Sequence, residues 1–145
     1  MRYDELKLDH QLCFPLYACS KAIVHKSNAF LKDINLSYTQ YIVMMVLWEK
    51  HEISLKDLGK LLYLDSGTLT PVLKNLESKG YVSRSRDKND ERVLMLTLSD
   101  AGKRLKTKAL QVPSSMRQCV CLEQEEIDTL YKLLYKLLGN LESEE

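Results

Sequence analysis

Apolar residues recur at helical spacing over most of the chain, and the polar residues between them mark where helices start and stop. Residues 9–32 predict a long helix with Leu12, Leu16, Ala18, Ile23, Ala29 and Phe30 on one broad apolar face and Asp9 as its N-cap. Pro15 falls near the start of that helix, where a missing amide N–H loses little. Ser37-Tyr38-Thr39-Gln40 is a capping-box pattern opening a second helix, YTQYIVMMVLWEK, apolar nearly all round and therefore expected to be buried. After Ile53, Ser54 caps a short helix through Leu62, with Asp57 in its first turn. Asp65 or Ser66 then caps a helix whose Leu69, Val72, Leu73 and Leu76 form one stripe, and Gly80 stops it.

The period changes next. From Tyr81 to Leu98 the chain reads as two strands around the polar turn Asp87-Lys88-Asn89-Asp90, with Val93, Met95 and Thr97 alternating with Leu94, Leu96 and Leu98. Ser99 caps a further helix from about 100, Pro113 kinks or interrupts it, and a last helix with a Leu/Tyr stripe runs from Glu123 to Leu141. Two short helices joined by the tight link Leu62–Asp65 make a helix-turn-helix. The expectation is a mainly α fold with a small β wing. One domain covers 1–145: a winged helix-turn-helix at about 37–98, flanked by helical parts at about 1–36 and 99–145.

A net charge of +1 is uninformative until it is divided along the chain. Residues 1–59 are neutral overall, residues 60–108 carry net +5, and residues 109–145 carry net −4. The basic excess coincides with the helix-turn-helix and wing, where a polyanion would be bound. The outward face of residues 65–79 carries Ser66, Thr68, Thr70, Lys74, Asn75 and Lys79. Short hydroxyls and Asn suit base edges, and lysines suit phosphates. Arg84, Arg86, Lys88 and Arg92 on the wing have the reach for a minor groove. A solvated helix face beside a charged hairpin is the competing reading, and the combination with the wing argues for double-stranded DNA.

The charged N-terminus, MRYDELKLDH, lacks a signal-peptide core, and no apolar run approaches the roughly 20 residues that span a bilayer. A cytoplasmic protein with reduced thiols and no membrane contact is expected. The cysteine spacings, C-x5-C and C-x-C, miss the paired C-x2-C of a structural zinc site, so no metal or other cofactor is expected.

The segment LDSGTLTPVLKNLESKGYVSRSRDKNDERVLMLTLSDAG resembles the winged helix of the MarR-type transcriptional regulators. Together with QLCFPLYACS, LDSGTLTP resembles the organic-hydroperoxide-sensing (OhrR) group of that family. The resemblance runs over nearly the whole chain. It implies a repressor that is a homodimer formed by the first and last helices and binds a palindromic operator. It also implies that Asp90 orients Arg92 for the minor groove and that Cys13 is the thiol oxidised by hydroperoxide. In the resembling repressors tyrosine hydroxyls support the thiolate. Tyr38 occupies one matching position and Tyr17 lies one turn from Cys13, while the other matching position is Ser27. A helix start also favours an anionic sulfur.

Cys19 is about 240° round the helix from Cys13 and is read as packing. By resemblance, a distal cysteine resolves the oxidised one through an intersubunit disulfide. Cys119 is the first choice and Cys121 the alternative; apolar filler remains open for both. Two other functions compete: a repressor released by an aromatic small molecule, and a thiol peroxidase using Cys13. The peroxidase lacks an evident arginine beside the cysteine and has no use for a wing.

Overall fold

The computed structural model describes residues 2–143. Its first helix, α1, spans Cys13–Leu31, after two 3-10 turns at Asp4–Leu6 and Leu8–His10. Asp9 therefore lies in a turn and does not cap α1, whose N-cap position is Leu12 with no side-chain cap. Pro15 explains the later start. In a helix begun at Asp9 its ring would clash with the Gln11 carbonyl, whereas in the first turn from Cys13 it displaces no hydrogen bond.

A 3-10 turn, Lys32–Ile34, ends on Asn35 in the left-handed region and leads into α2, Tyr38–Lys50. The capping box is complete: the Gln40 N–H donates to Ser37 Oγ (3.2 Å), and the Ser37 N–H donates to Gln40 Oε1 (3.0 Å). A strand that the sequence pattern does not reveal follows, β1 at Glu52–Ser54. Then come α3 (Leu55–Leu62), α4 (Ser66–Ser78), β2 (Val82–Arg86), β3 (Leu94–Leu98), α5 (Asp100–Ala109), α6 (Val112–Val120) and α7 (Gln124–Glu142). The sheet is antiparallel in the order β1-β3-β2, with Ile53 opposite Leu96 and Arg84 opposite Leu96 on the other side.

The core gathers around α2. Val43, Met44 and Leu47 bury completely against Leu58 of α3, Leu69, Leu73 and Leu76 of α4, and Leu96 of β3. Trp48 Nε1 donates to the Gly102 carbonyl at 2.9 Å, which ties α2 to α5. Gly102 is needed at this crossing. A Cβ there would meet the Tyr81 carbonyl oxygen at 2.4 Å and Leu98 Cδ1 at 2.6 Å.

Helix α1 buries a different face from the predicted one. Ser27 and Leu31 are its buried residues, while Leu12, Ile23 and Ala29 are exposed and Leu16, Ala18 and Phe30 half-buried. No residue of α7 is buried. Both helices carry apolar rows that this single chain leaves uncovered.

Candidate functional site

Helix α4 is positioned by local chemistry at its start. Tyr63 turns the chain in the left-handed region, and Asp65 then caps α4 by accepting the Thr68 N–H at 2.7 Å. That hydrogen bond holds the Asp65 carboxyl below its usual range. Ser66, Thr68 and Lys74 are exposed, and the Thr70 hydroxyl donates back to the Ser66 carbonyl at 2.6 Å.

Asn75 and Lys79 do not stand free on the outward face. Asn75 Oδ1 accepts from Gln40 Nε2 at 2.8 Å, and Lys79 Nζ donates to the Asn35 carbonyl (2.6 Å) and Gln40 Oε1 (3.2 Å). Arg84 is also engaged within the chain. Its Nε and Nη2 reach the two carboxylate oxygens of Glu77 at 3.0 and 3.3 Å, which ties β2 to the end of α4 and holds the Glu77 carboxyl below its usual range. The side chain of Arg84 is only about a quarter exposed.

The wing tip is folded around Asp90. The Asp87 N–H donates to the Val93 carbonyl (2.9 Å) and the Val93 N–H to the Asp90 carbonyl (3.0 Å). The Asp90 carboxylate accepts the Arg92 N–H (3.1 Å), Nε (3.0 Å) and Nη2 (3.2 Å). The Arg92 side chain, aimed by these bonds, remains 90% exposed. Arg86 and Lys88 are exposed beside it. An open crevice between α3, the start of α4, the wing and the far end of α7 adds Lys56 and Lys60 to this basic surface.

The cysteines lie on the helical part. Cys13 opens α1, and all four sulfurs are free and exposed. Cys19, read as packing, is thus uncovered in the single chain, because α1 presents most of its circumference outward. Tyr17 is exposed, with Lys21 Nζ 5.2 Å from its ring centre. Tyr38, the first residue of α2, is half-buried with its ring 6.4 Å from that of Tyr41. Ser27 is buried, and its hydroxyl donates to the Val24 carbonyl of its own helix at 2.6 Å. Cys119 lies in α6; Cys121 follows it in the left-handed region, its Sγ 3.2 Å from the Gln118 carbonyl. Among the described residues no group of three His, Cys, Asp or Glu side chains could hold a metal ion, and no helix is long and apolar enough to cross a membrane.

A helix-turn-helix followed by an arginine-tipped wing is a DNA-reading geometry, and comparison with known proteins gives it a family. A profile described as transcriptional regulator SarA/Rot matches residues 25–109. The chain belongs to the SarA/Rot family of transcriptional regulators. The organic hydroperoxide resistance transcriptional regulator of Bacillus subtilis is 39% identical over 140 residues, 97% of this chain and 95% of that protein. The regulator SarZ of Staphylococcus haemolyticus is 41% identical over 133 residues, 92% of this chain and 90% of its own length. Among solved structures, reduced AbfR bound to DNA shares 35% identity at a TM-score of 0.79, covering 97% of this chain and 99% of its own. Disulfide-formed AbfR, covering 95% and 97%, superposes with a TM-score of 0.66 at the same identity. The fold of this SarA/Rot-family chain is the winged helix of MarR/SarA-type regulators.

In this SarA/Rot-family chain, four residues in or behind the candidate DNA-binding surface are not among those the sequence pattern singles out. Lys56 and Lys60, one turn apart on α3, are visible in the sequence as a basic i,i+4 pair on a helix that crosses the nucleic-acid backbone in this motif. Gln40 and Glu77 carry no such signal. Their role comes from partners on other elements.

Proposed function

We propose that this chain is a homodimeric repressor that binds a palindromic operator in double-stranded DNA and is released when an organic hydroperoxide oxidises Cys13. The observation that carries this reading is the placement of Cys13: an exposed free thiol in the first turn of a helix, on a surface that the single chain leaves uncovered. Only the thiolate attacks peroxide, and an exposed thiol is open to the oxidant. Its sulfur attacks one peroxide oxygen, the O–O bond breaks, and Cys13 becomes a sulfenic acid as the alkoxide leaves and takes up a proton. A second thiol condenses with the sulfenic acid to form a disulfide and water.

Tyr17, on the same helix, and Tyr38, at the head of α2, are the hydroxyls assigned to support the thiolate. Ser27 takes no part, since its hydroxyl is buried and committed to Val24. Cys119 is the resolving thiol, and Cys121 the alternative. Phe14, Tyr17, Ile23 and Val24 of α1 and Leu130, Tyr131, Leu134 and Tyr135 of α7 supply the apolar area for a second copy. On DNA, Ser66, Thr68, Thr70 and Lys74 face the groove from α4, and Arg86, Lys88 and Arg92 face the backbone and minor groove from the wing.

The test is operator release by cumene hydroperoxide, beside a parallel titration with a phenolic ligand. Cys13→Ser is expected to fold, bind DNA and ignore the peroxide. Release of Cys13→Ser at wild-type peroxide levels would move sensing elsewhere, and release by the phenol alone would replace oxidation with ligand binding.

A further inference from the structure

Gln40 is nearly buried at 9% exposure, and every polar atom of its side chain is engaged. A capping residue needs only Oε1 turned to the Ser37 N–H. Here the same Oε1 also accepts from Lys79, and Nε2 reaches Asn75, thirty-five residues further along on α4. Lys79 continues to the Asn35 carbonyl in the left-handed turn between α1 and α2. Three hydrogen bonds, one at Asn75 in α4 and two from Lys79 at its C-cap, therefore tie the end of α4 to the α1–α2 junction.

A buried amide is costly to leave unsatisfied, so this contact favours one seating of α4 and penalises a small slide. The junction also carries Tyr38, two residues before Gln40. We propose that Gln40 is a positioning residue: its bonds to Asn75 and Lys79 hold α4 in the DNA-reading seat and make that seat depend on the state of the thiol-bearing helix α1. The second half of this proposal rests on Cys13 being the sensor. A change at Cys13 that displaces α1 or Tyr38 moves the first turn of α2. Gln40 cannot follow without parting from Asn75 and Lys79, and α4 leaves its seat.

The experiment uses the full-length protein and a DNA duplex selected from a random library by its reduced form, with cumene hydroperoxide as oxidant. Dissociation constants are measured reduced and oxidised for wild type, Gln40→Met, Gln40→Glu and Asn75→Leu, with thermal midpoint and the mass gain of Cys13 as controls. Gln40→Met and Asn75→Leu remove bonds that seat α4. Each should weaken reduced binding about tenfold and bring the oxidised-to-reduced ratio close to one, with Cys13 still oxidised at the wild-type rate. Gln40→Glu keeps an acceptor for Ser37 and Lys79, and Asn75 can turn its amide to donate, so wild-type binding and release should return. Asn75→Leu leaves the capping box intact, so its result does not depend on a weakened α2. Wild-type affinity and ratio in Gln40→Met and Asn75→Leu would overturn the proposal. A wild-type protein that is oxidised at Cys13 but keeps its DNA would defeat the sensor reading and the coupling with it. Loss of reduced affinity in the variants would then still support Gln40 as the residue that seats α4.

Discussion

Asp90 and Arg92 act as one unit at the wing tip: a carboxylate accepts three hydrogen bonds from the arginine two residues on and aims its guanidinium into solvent. A charge held in place before binding loses less side-chain freedom when DNA arrives. Arg92→Ala should weaken operator binding by about 1–3 kcal/mol without changing the fold, and should flatten the salt dependence by about one phosphate equivalent if Arg92 meets the backbone. Fluorescence anisotropy at several salt concentrations checks both. The same unit sets a pH limit. The hydrogen bonds from Arg92 hold the Asp90 carboxyl below its usual range, so its folded value lies under its unfolded one. The contribution of the clamp is therefore fully present above the ordinary carboxylate range, about pH 4, and is lost as pH falls through the lower folded value. The Arg92 Nε resonance should stay in place from neutral pH down to about 5 and shift only in stronger acid. A shift centred near pH 6 would assign it to another group.

At the scale of elements, α5 is fixed from both sides. Ser99 caps it by accepting the Gly102 N–H at 3.0 Å, and the Ser99 hydroxyl donates to the Gly80 carbonyl just after α4. Gly102 brings the α5 backbone against Tyr81 while its carbonyl accepts a hydrogen bond from the Trp48 indole N–H. Gly102→Ala places a methyl group against a backbone oxygen that has no rotamer to escape into, so about 1–3 kcal/mol of stability should be lost, despite the better helix propensity of alanine. Ser99→Ala removes the cap together with the hydrogen bond to the Gly80 carbonyl and should cost about 1 kcal/mol. Thermal unfolding of the two variants ranks them; equal midpoints would mean that the α5–Tyr81 contact opens readily.

For the whole molecule, the uncovered faces of α1 and α7 set the expectations. Leu130, Tyr131, Leu134 and Tyr135 lie along one side of α7, with the two tyrosine rings 4.7 Å apart. If a second copy covers them, the thermal midpoint rises with protein concentration, and Leu134→Lys gives a monomer that no longer binds DNA. Sedimentation shows which. On non-reducing gels hydroperoxide should give a covalent dimer that is lost in Cys13→Ser and Cys119→Ser but kept in Cys121→Ser. Loss in Cys121→Ser instead would move the resolving thiol two residues along. Bridging requires Cα atoms within about 7 Å, so the covalent dimer forms only where the two cysteines can come that close.

What the sequence by itself determined was local. Ser37, Ser54, Asp65 and Ser99 each cap a helix through a hydrogen bond three residues away, so the starts of α2, α3, α4 and α5 follow from short segments. The Asp90–Arg92 clamp spans two residues and is equally local. The start of α1 falls later than the Asp9 cap predicts because Pro15 bars the turn before Cys13. Tertiary structure decided whatever depends on a distant partner. The three residues of β1 are too short to show a period and become a strand only by pairing with β3. Asn75, Lys79 and Arg84 fall on polar faces as Lys74 and Arg86 do, yet Gln40, Asn35 and Glu77 engage them in hydrogen bonds within the chain. A helical pattern tells which side of a helix is polar. Where a long polar side chain on that side ends depends on the groups that other elements bring within reach.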